Sequence, residues 1–472
     1  MENNFKGSLG LLDATMVVVG SMIGSGIFIV SAEMSQHLGC SGYLLLAWAL
    51  TGVLTLIAAL SYGELSAMFP KAGGQYVYLR EAYNPLVGFL YGWSFFAVIQ
   101  TGTIAAVGVA FSKFAAYLFP ILSEKNILFE IGSFGISAAQ LVGIATILLL
   151  TFLNTKGVEN VKLVQTTVTI AKLASLFGLL ILGFFLGAKA GIWENNLTNM
   201  WSAQTLTVKD GILLGSTPLS GWAIIPAMAV AMVGSIFSAD AWNNVTFIAG
   251  EIRNPQKNIG LSLLFGTLIV SVIYVLMNLM YISVLPLQEI ATAKSERVAI
   301  AASQGIWGEM GVYAIAVMIM VSTFGCNNGL ILAGARVYKT MALDGLFFKK
   351  AGEVNKFQVP EFALWIQCAW ACVLCLSGKY GALLDYVVFV VLLFYALTIG
   401  GIFILRKNRP DAERPYKAWG YPVIPMLYII AALGLSVLLF IYKFSNTWPG
   451  LVIILAGIPI YYAVIQTKKR EI

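Results

Sequence analysis

The chain has 472 residues, of which 59% are apolar and 11% charged, with a mean hydropathy of +0.84. Soluble domains carry about 25% charged residues, so there are too few charges here to clothe a soluble surface, and a water-soluble globular fold is excluded. The net charge of +7 reads as a topology signal and gives no reason to expect a nucleic-acid partner.

A hydrocarbon core of roughly 30 Å needs about 20 apolar residues per helical crossing. Such runs recur near 11–37, 43–69, 85–118, 138–154, 160–187, 222–249, 258–285, 308–336, 361–377, 381–405, 422–442 and 447–466. The pattern predicts an all-α polytopic membrane protein with twelve spans in the lipid bilayer, and no connection is long enough for a soluble domain. The first run follows a short polar N-terminus and lacks a convincing cleavage site, so no removable signal peptide is expected.

Orientation follows from Lys and Arg in the connections. With the N-terminus inside, one side holds Lys6, Lys71, Arg80, Lys156, Lys162, Arg253, Lys257, Arg336, Lys339, Lys349, Lys350, Lys356, Arg406, Lys407, Arg409, Arg414, Lys417, Lys468, Lys469 and Arg470. The other side keeps Lys125, Lys189, Lys209, Lys294, Arg297, Lys379 and Lys443, so the bias is twenty against seven. A cell-membrane protein with both termini cytoplasmic is expected.

The first span contains Gly20-Ser21-Met22-Ile23-Gly24-Ser25-Gly26, a cluster of weak helix formers. Glycines in a span can serve close packing, or they can mark an interruption. Interrupted helices persist in a membrane only where the freed backbone lines a cavity or meets a ligand. Five spans later comes Val233-Gly234-Ser235-Ile236-Phe237-Ser238-Ala239-Asp240-Ala241-Trp242, whose Val-Gly-Ser triplet aligns with Val19-Gly20-Ser21. Matching weak points in two five-span halves point to a transporter built from inverted repeats. The repeats would run over 11–187, broken near 24–26, and 222–405, broken near 237–240, with 422–466 outside them.

A broken helix frees N–H groups at the start of one half and C=O groups at the end of the other. The first attract a carboxylate and the second an ammonium. An α-amino acid carries both on adjacent atoms, so two such breaks can hold its head group by backbone alone.

Other chemistry finds little material. Cys368, Cys372 and Cys375 have an iron–sulfur-like spacing, but on an apolar helix they read as small filler. Cys40 alone is expected near the outer face, so no disulfide framework is predicted. His37 is the single histidine, and no Gly-Lys-Ser/Thr follows the glycines of the first span. Deep acids are few, chiefly Asp240, while Glu64, Glu251 and Asp385 fall near span ends. No catalytic residue, metal site or cofactor is predicted, and neither a membrane-embedded enzyme nor a sensor with a signalling domain fits.

Gly24-Ser25-Gly26-Ile27-Phe28 resembles the first-span signature of the amino acid–polyamine–organocation superfamily, which has a LeuT-like fold of 5+5 inverted repeats. Tyr62-Gly63-Glu64-Leu65, Pro70-Lys71-Ala72-Gly73-Gly74-Gln75-Tyr76 and Phe247-Ile248-Ala249-Gly250-Glu251-Ile252-Arg253-Asn254-Pro255 resemble its later motifs. So do Ser322-Thr323-Phe324-Gly325, Asn328-Gly329, Arg336 and the stretch from Arg409-Pro410 to Lys417. The order is most similar to the L-type amino acid transporters, here a bacterial-like form.

The resemblance implies roles. Ser25, Gly26 and Ile27 would offer N–H groups to the substrate carboxylate, while Met22, Ile23 and Phe237 would offer carbonyls to the amino group. The Phe237 ring would cover the substrate from outside, and Ser238 would lie beside it. Lys172, in the fifth span, would reach the first break and replace the sodium ion of coupled relatives. Asp240 would either bind a cationic side chain or ammonium, or cap the second half-helix. Animal relatives join a glycoprotein partner through a cysteine between spans three and four, but residues 120–137 hold none, so no disulfide-linked heavy chain is expected. Sodium-independent exchange of small or medium neutral amino acids follows, the alternative being a proton-coupled or cationic amino acid/polyamine carrier.

Overall fold

The computed structural model describes residues 9–131, 134–377 and 380–470. Among the loop cations counted above, Lys6 and Lys379 lie outside the described residues, as do the side chains of Lys162, Lys468, Lys469 and Arg470.

Ten described helices are long and apolar enough to cross a membrane, from Ser41–Met68 to Phe444–Ile465. A chain in hydrocarbon must satisfy its backbone internally, which favours helix wherever lipid is the neighbour. The two remaining expected spans fall short for different reasons. The first is cut at Met22, and Glu361–Ser377 has 17 residues. Helix starts obey local chemistry. Asn84 accepts from the Val87 amide at 3.0 Å ahead of Pro85, and Ser137 with Gln140 forms a capping box.

Two hairpins depart from the all-α reading: Ile127–Ile131 with Phe134–Ser137, and Gln204–Lys209 with Ile212–Pro218. The second turns through Asp210 (φ 52°) and Gly211 (φ 78°), both left-handed as a two-residue hairpin turn requires. This Asp-Gly signal was present in the sequence. The hairpin packs on the end of the first span, where a Cβ on Gly39 would lie 2.3 Å from Gln204. That end is the hairpin face. At the opposite, N-terminal face, Leu9 forms a parallel bridge with Ile252.

The centre pairs two broken helices with two intact ones. Leu11–Met22 packs on Pro255–Val284, Ile224–Ser238 packs on Ser41–Met68, and the two intact helices pack on each other. Small residues permit the approach. A Cβ on Gly266 would lie 2.6 Å from the Val18 Cβ, and one on Gly52 2.9 Å from the Ser271 Cβ.

Candidate functional site: two helix breaks in contact

The first span is helical over Leu11–Met22. Ile23 then turns extended (φ −74°, ψ 93°), and helix resumes at Gly26. Val30 keeps helical dihedrals between Gly26–Ile29 and Ser31–Leu38, so the second half continues to Leu38. The break therefore occupies Ile23 to Ser25, one residue earlier than expected.

Ending a helix here strands four carbonyls, and the fold meets each with a side chain from a distant span. Lys172 Nζ donates to Gly20 O at 2.5 Å and to Ile23 O at 3.0 Å. Cys326 Sγ meets Ser21 O at 3.4 Å, and Tyr274 Oη donates to Met22 O at 2.9 Å. Lys172 is fully buried. A lysine at a helix centre costs roughly 2.5–3.5 kcal/mol on insertion scales, and the two carbonyls are the partners that offset it. It does not snorkel.

The donor side contrasts with this. Among the described residues, the amides of Gly24, Ser25, Gly26 and Ile27 make no hydrogen bond. The Ser25 hydroxyl meets Tyr380 Oη at 3.2 Å.

The second break lies slightly later than expected. Helix Ile224–Ser238 runs intact through Phe237 and Ser238, the chain turns through Ala241 (φ 61°), and one helical turn follows at Asn244–Phe247. Asn243 occupies the cap position of that turn, so Asp240 is not its N-cap. The half-buried Asp240 carboxylate instead accepts from Tyr395 Oη at 2.5 Å. The Phe237 carbonyl accepts the Asp240 amide at 3.2 Å. Its buried ring stands edge-on to Tyr380, 6.2 Å between centroids.

The two breaks touch. Tyr274 Oη also reaches Ser238 O at 3.0 Å, so one hydroxyl spans both. Gly26 lies against Ser238, where an added Cβ would sit 1.9 Å from Oγ. On the N-terminal side of the contact, a small pocket is lined by Asp240, Asn244, Gln100, Thr103, Tyr395 and neighbours. A wide helical turn at Phe95–Ile99 in the third span contributes to its wall. The Asn244 Nδ2 is buried without a partner among the described residues.

Sequence reasoning missed Tyr274, Cys326 and Tyr380. For Tyr274 a signal existed, because Tyr274, Asn278 and Tyr281 recur at i, i+4 and i+7 on one face of an apolar span. All three face the first span. Asn278 accepts from Ser31 Oγ at 2.7 Å, and Tyr281 donates to Ile27 O at 3.2 Å.

Comparison with known sequences decides the family, since the amino acid permease profile matches residues 9–465. The chain belongs to the amino acid permease family. It is 30% identical to the serine/threonine exchanger SteT of Bacillus subtilis, over the whole of this permease and 99% of that protein. Mouse Asc-type amino acid transporter 1 and human b(0,+)-type amino acid transporter 1 are each 28% identical over 98% of this chain, covering 82% and 88% of their own lengths. The permease is a multi-pass membrane protein of the amino acid–polyamine–organocation superfamily.

Several motif residues prove to be clamps of the N-terminal face. Glu64 is almost fully buried, accepting from Arg406 at 2.9 and 2.6 Å and from the Ala418 amide at 2.7 Å. Removing one partner of such a buried pair costs about 3–5 kcal/mol. Glu251 accepts from Arg336 at 2.9 and 2.8 Å, beside the Leu9–Ile252 bridge. These residues hold the permease together at that end, away from the breaks.

Proposed function

We propose that this permease is a sodium-independent exchanger of small neutral L-amino acids, working by alternating access around the two breaks. The observation that carries the reading is the asymmetry of the first break. Its carbonyls are occupied by the protein's own side chains, while four consecutive amides from Gly24 to Ile27 are not. Unmet donors at a helix start suit a carboxylate. Met22 and Ile23 each keep a second carbonyl lone pair for the ammonium, whereas the Phe237 carbonyl already accepts the amides of Ala239 and Asp240. With a lysine bonded where a cation would sit, no sodium ion is needed to stabilise the break.

The reciprocal packing of the broken helices on Ser41–Met68 and Pro255–Val284 supports inverted repeats over 11–187 and 222–405, and with the two short spans a LeuT-like count of twelve. In this reading the hairpin face is extracellular and both termini are cytoplasmic. The permease needs no disulfide-linked heavy chain, because residues 120–137 contain no cysteine. Serine and threonine are the first candidates, after SteT; a short side chain would project into the cavity at Asp240.

Exchange is tested in proteoliposomes with radiolabelled serine. Uptake should rise at least about tenfold when the vesicles are preloaded with unlabelled serine. Uptake driven instead by an imposed pH gradient into empty vesicles would establish the proton-coupled alternative.

Asp240 sets a second expectation. Bonded to Tyr395 and facing the cavity, its carboxylate would hold a cationic side chain. Asp240→Asn should then weaken competition by lysine about tenfold or more and leave competition by alanine within about twofold. Equal loss of both would make Asp240 a structural anchor for Tyr395.

A further inference from the structure

A second buried lysine lies on the hairpin side of the breaks. Lys113 sits five residues before the end of helix Gln100–Leu118, about 7.5 Å along the axis. A lysine at that depth can snorkel to the membrane surface, but this one turns inward. Its side chain is 11% exposed, its Nζ meets Glu296 at 2.6 Å, and it lies over the Tyr380 ring, 5.2 Å from the centroid. Tyr380 in turn bonds Ser25 and stands edge-on to Phe237. A continuous line of contacts thus runs from Glu296 through Lys113 and Tyr380 to both breaks.

The turn carrying Glu296 wraps the lysine from the other side. Arg297 Nη1 donates to the Lys113 carbonyl at 3.1 Å, and its guanidinium lies over the Tyr117 ring at 5.1 Å. Ser295 (φ 54°) and Glu296 (φ 61°) are both left-handed, a conformation that non-glycine residues hold only where surrounding contacts impose it. The Lys113 ion pair and the Arg297 bond are such contacts.

We propose that Lys113 and Glu296 form a charged latch that closes the hairpin-face route to the two breaks and opens on each transport cycle, with Tyr380 as the part that joins the latch to the substrate. The proposal rests on the two-break reading of the substrate site. A substrate arriving from the hairpin face must displace Tyr380 from Ser25. Tyr380 is also the surface against which Lys113 is held in reach of Glu296, so the two contacts give way together. Lys113 and Glu296 are therefore positioning residues: they touch no substrate and set how often the site faces the hairpin side.

The test uses the full-length permease with Lys113→Gln and Glu296→Gln combined, which leaves no unpaired buried charge. Half-saturation for serine exchange is measured separately from each face in vesicles of defined orientation. Removing a contact made only in the closed state shifts the population toward hairpin-side opening. Half-saturation should therefore fall about threefold or more at the hairpin face and rise comparably at the N-terminal face. The reversed pair, Lys113→Glu with Glu296→Lys, should return both values toward wild type.

A second readout needs no transport. Cys326 is buried beside Gly24, whose added Cβ would lie 3.0 Å from its Sγ. Its labelling by a membrane-impermeant maleimide from the hairpin face, followed by mass spectrometry, should quicken at least about threefold in the neutral double variant. Unchanged labelling, with half-saturation constants that stay put or move in the same direction, overturns the latch. Faster labelling in a protein that carries no amino acid keeps the latch and overturns the two-break substrate reading.

Discussion

Lys172→Ala should lower serine uptake by about a hundredfold while the protein still inserts and purifies as a single species. The side chain donates two charge-assisted hydrogen bonds, to Gly20 O and Ile23 O, and bonds to charged groups contribute about 1.5–3 kcal/mol each. Alanine leaves both carbonyls buried and unpaired, and a loss of about 3 kcal/mol in the competent break corresponds to roughly a hundredfold. Lys172→Arg should rescue poorly, because a planar fork does not match a point donor between two carbonyls at the close of a helix. On the proposed role of Lys172 as a cation surrogate, the wild-type protein should transport equally well in sodium and in choline buffer. A strict sodium requirement, or uptake by Lys172→Ala within threefold of wild type, would falsify the role given to this lysine.

The outcome bears on what the sequence could disclose. The breaks were legible because a glycine and serine cluster is conspicuous in an apolar span, and because the Val-Gly-Ser triplet recurs. The partners of the freed carbonyls were less so. Lys172, Tyr274 and Cys326 lie 149, 252 and 305 residues from the atoms they meet, and only the charge of Lys172 made it stand out. Break boundaries moved because helix ends are set by tertiary contacts as well as by weak helix formers. Ile23 leaves the helix for an extended conformation that suits its β-branched side chain, whereas Ser238 stays helical with its hydroxyl on Gly234 O at 2.7 Å. Asp240 was weighed as a cap from its residue type alone. What decides against it is that helix resumes only at Asn244, three residues beyond the span an aspartate at 240 could cap. Lys113 lies inside the third expected span and drew no reading from the sequence, and its partner Glu296 sits in a turn that periodicity cannot place.

Gly26→Ala tests whether the contact between the breaks is the site. Gly26 does not have a positive φ, so glycine is not required there for backbone freedom. It is required for size. A methyl group would lie 1.9 Å from Ser238 Oγ, 2.6 Å from its Cβ and 3.0 Å from its Cα, and a backbone atom cannot rotate away as a flexible side chain can. The two breaks would be forced apart by about 1 Å, and displacement on that scale costs about a hundredfold where reacting or binding groups must converge. Substrate affinity should therefore fall about a hundredfold in Gly26→Ala and beyond detection in Gly26→Leu, with helical content and membrane insertion unchanged. A packing glycine would also lose function on substitution, so the decisive variant is the compensating one. Ser238→Gly removes the oxygen and the Cβ and leaves only the 3.0 Å contact to Cα. Gly26→Ala with Ser238→Gly should then recover at least tenfold of the lost affinity, measured by equilibrium binding of radiolabelled serine. Without that recovery, Gly26 would serve the substrate by some means other than its fit against the second break.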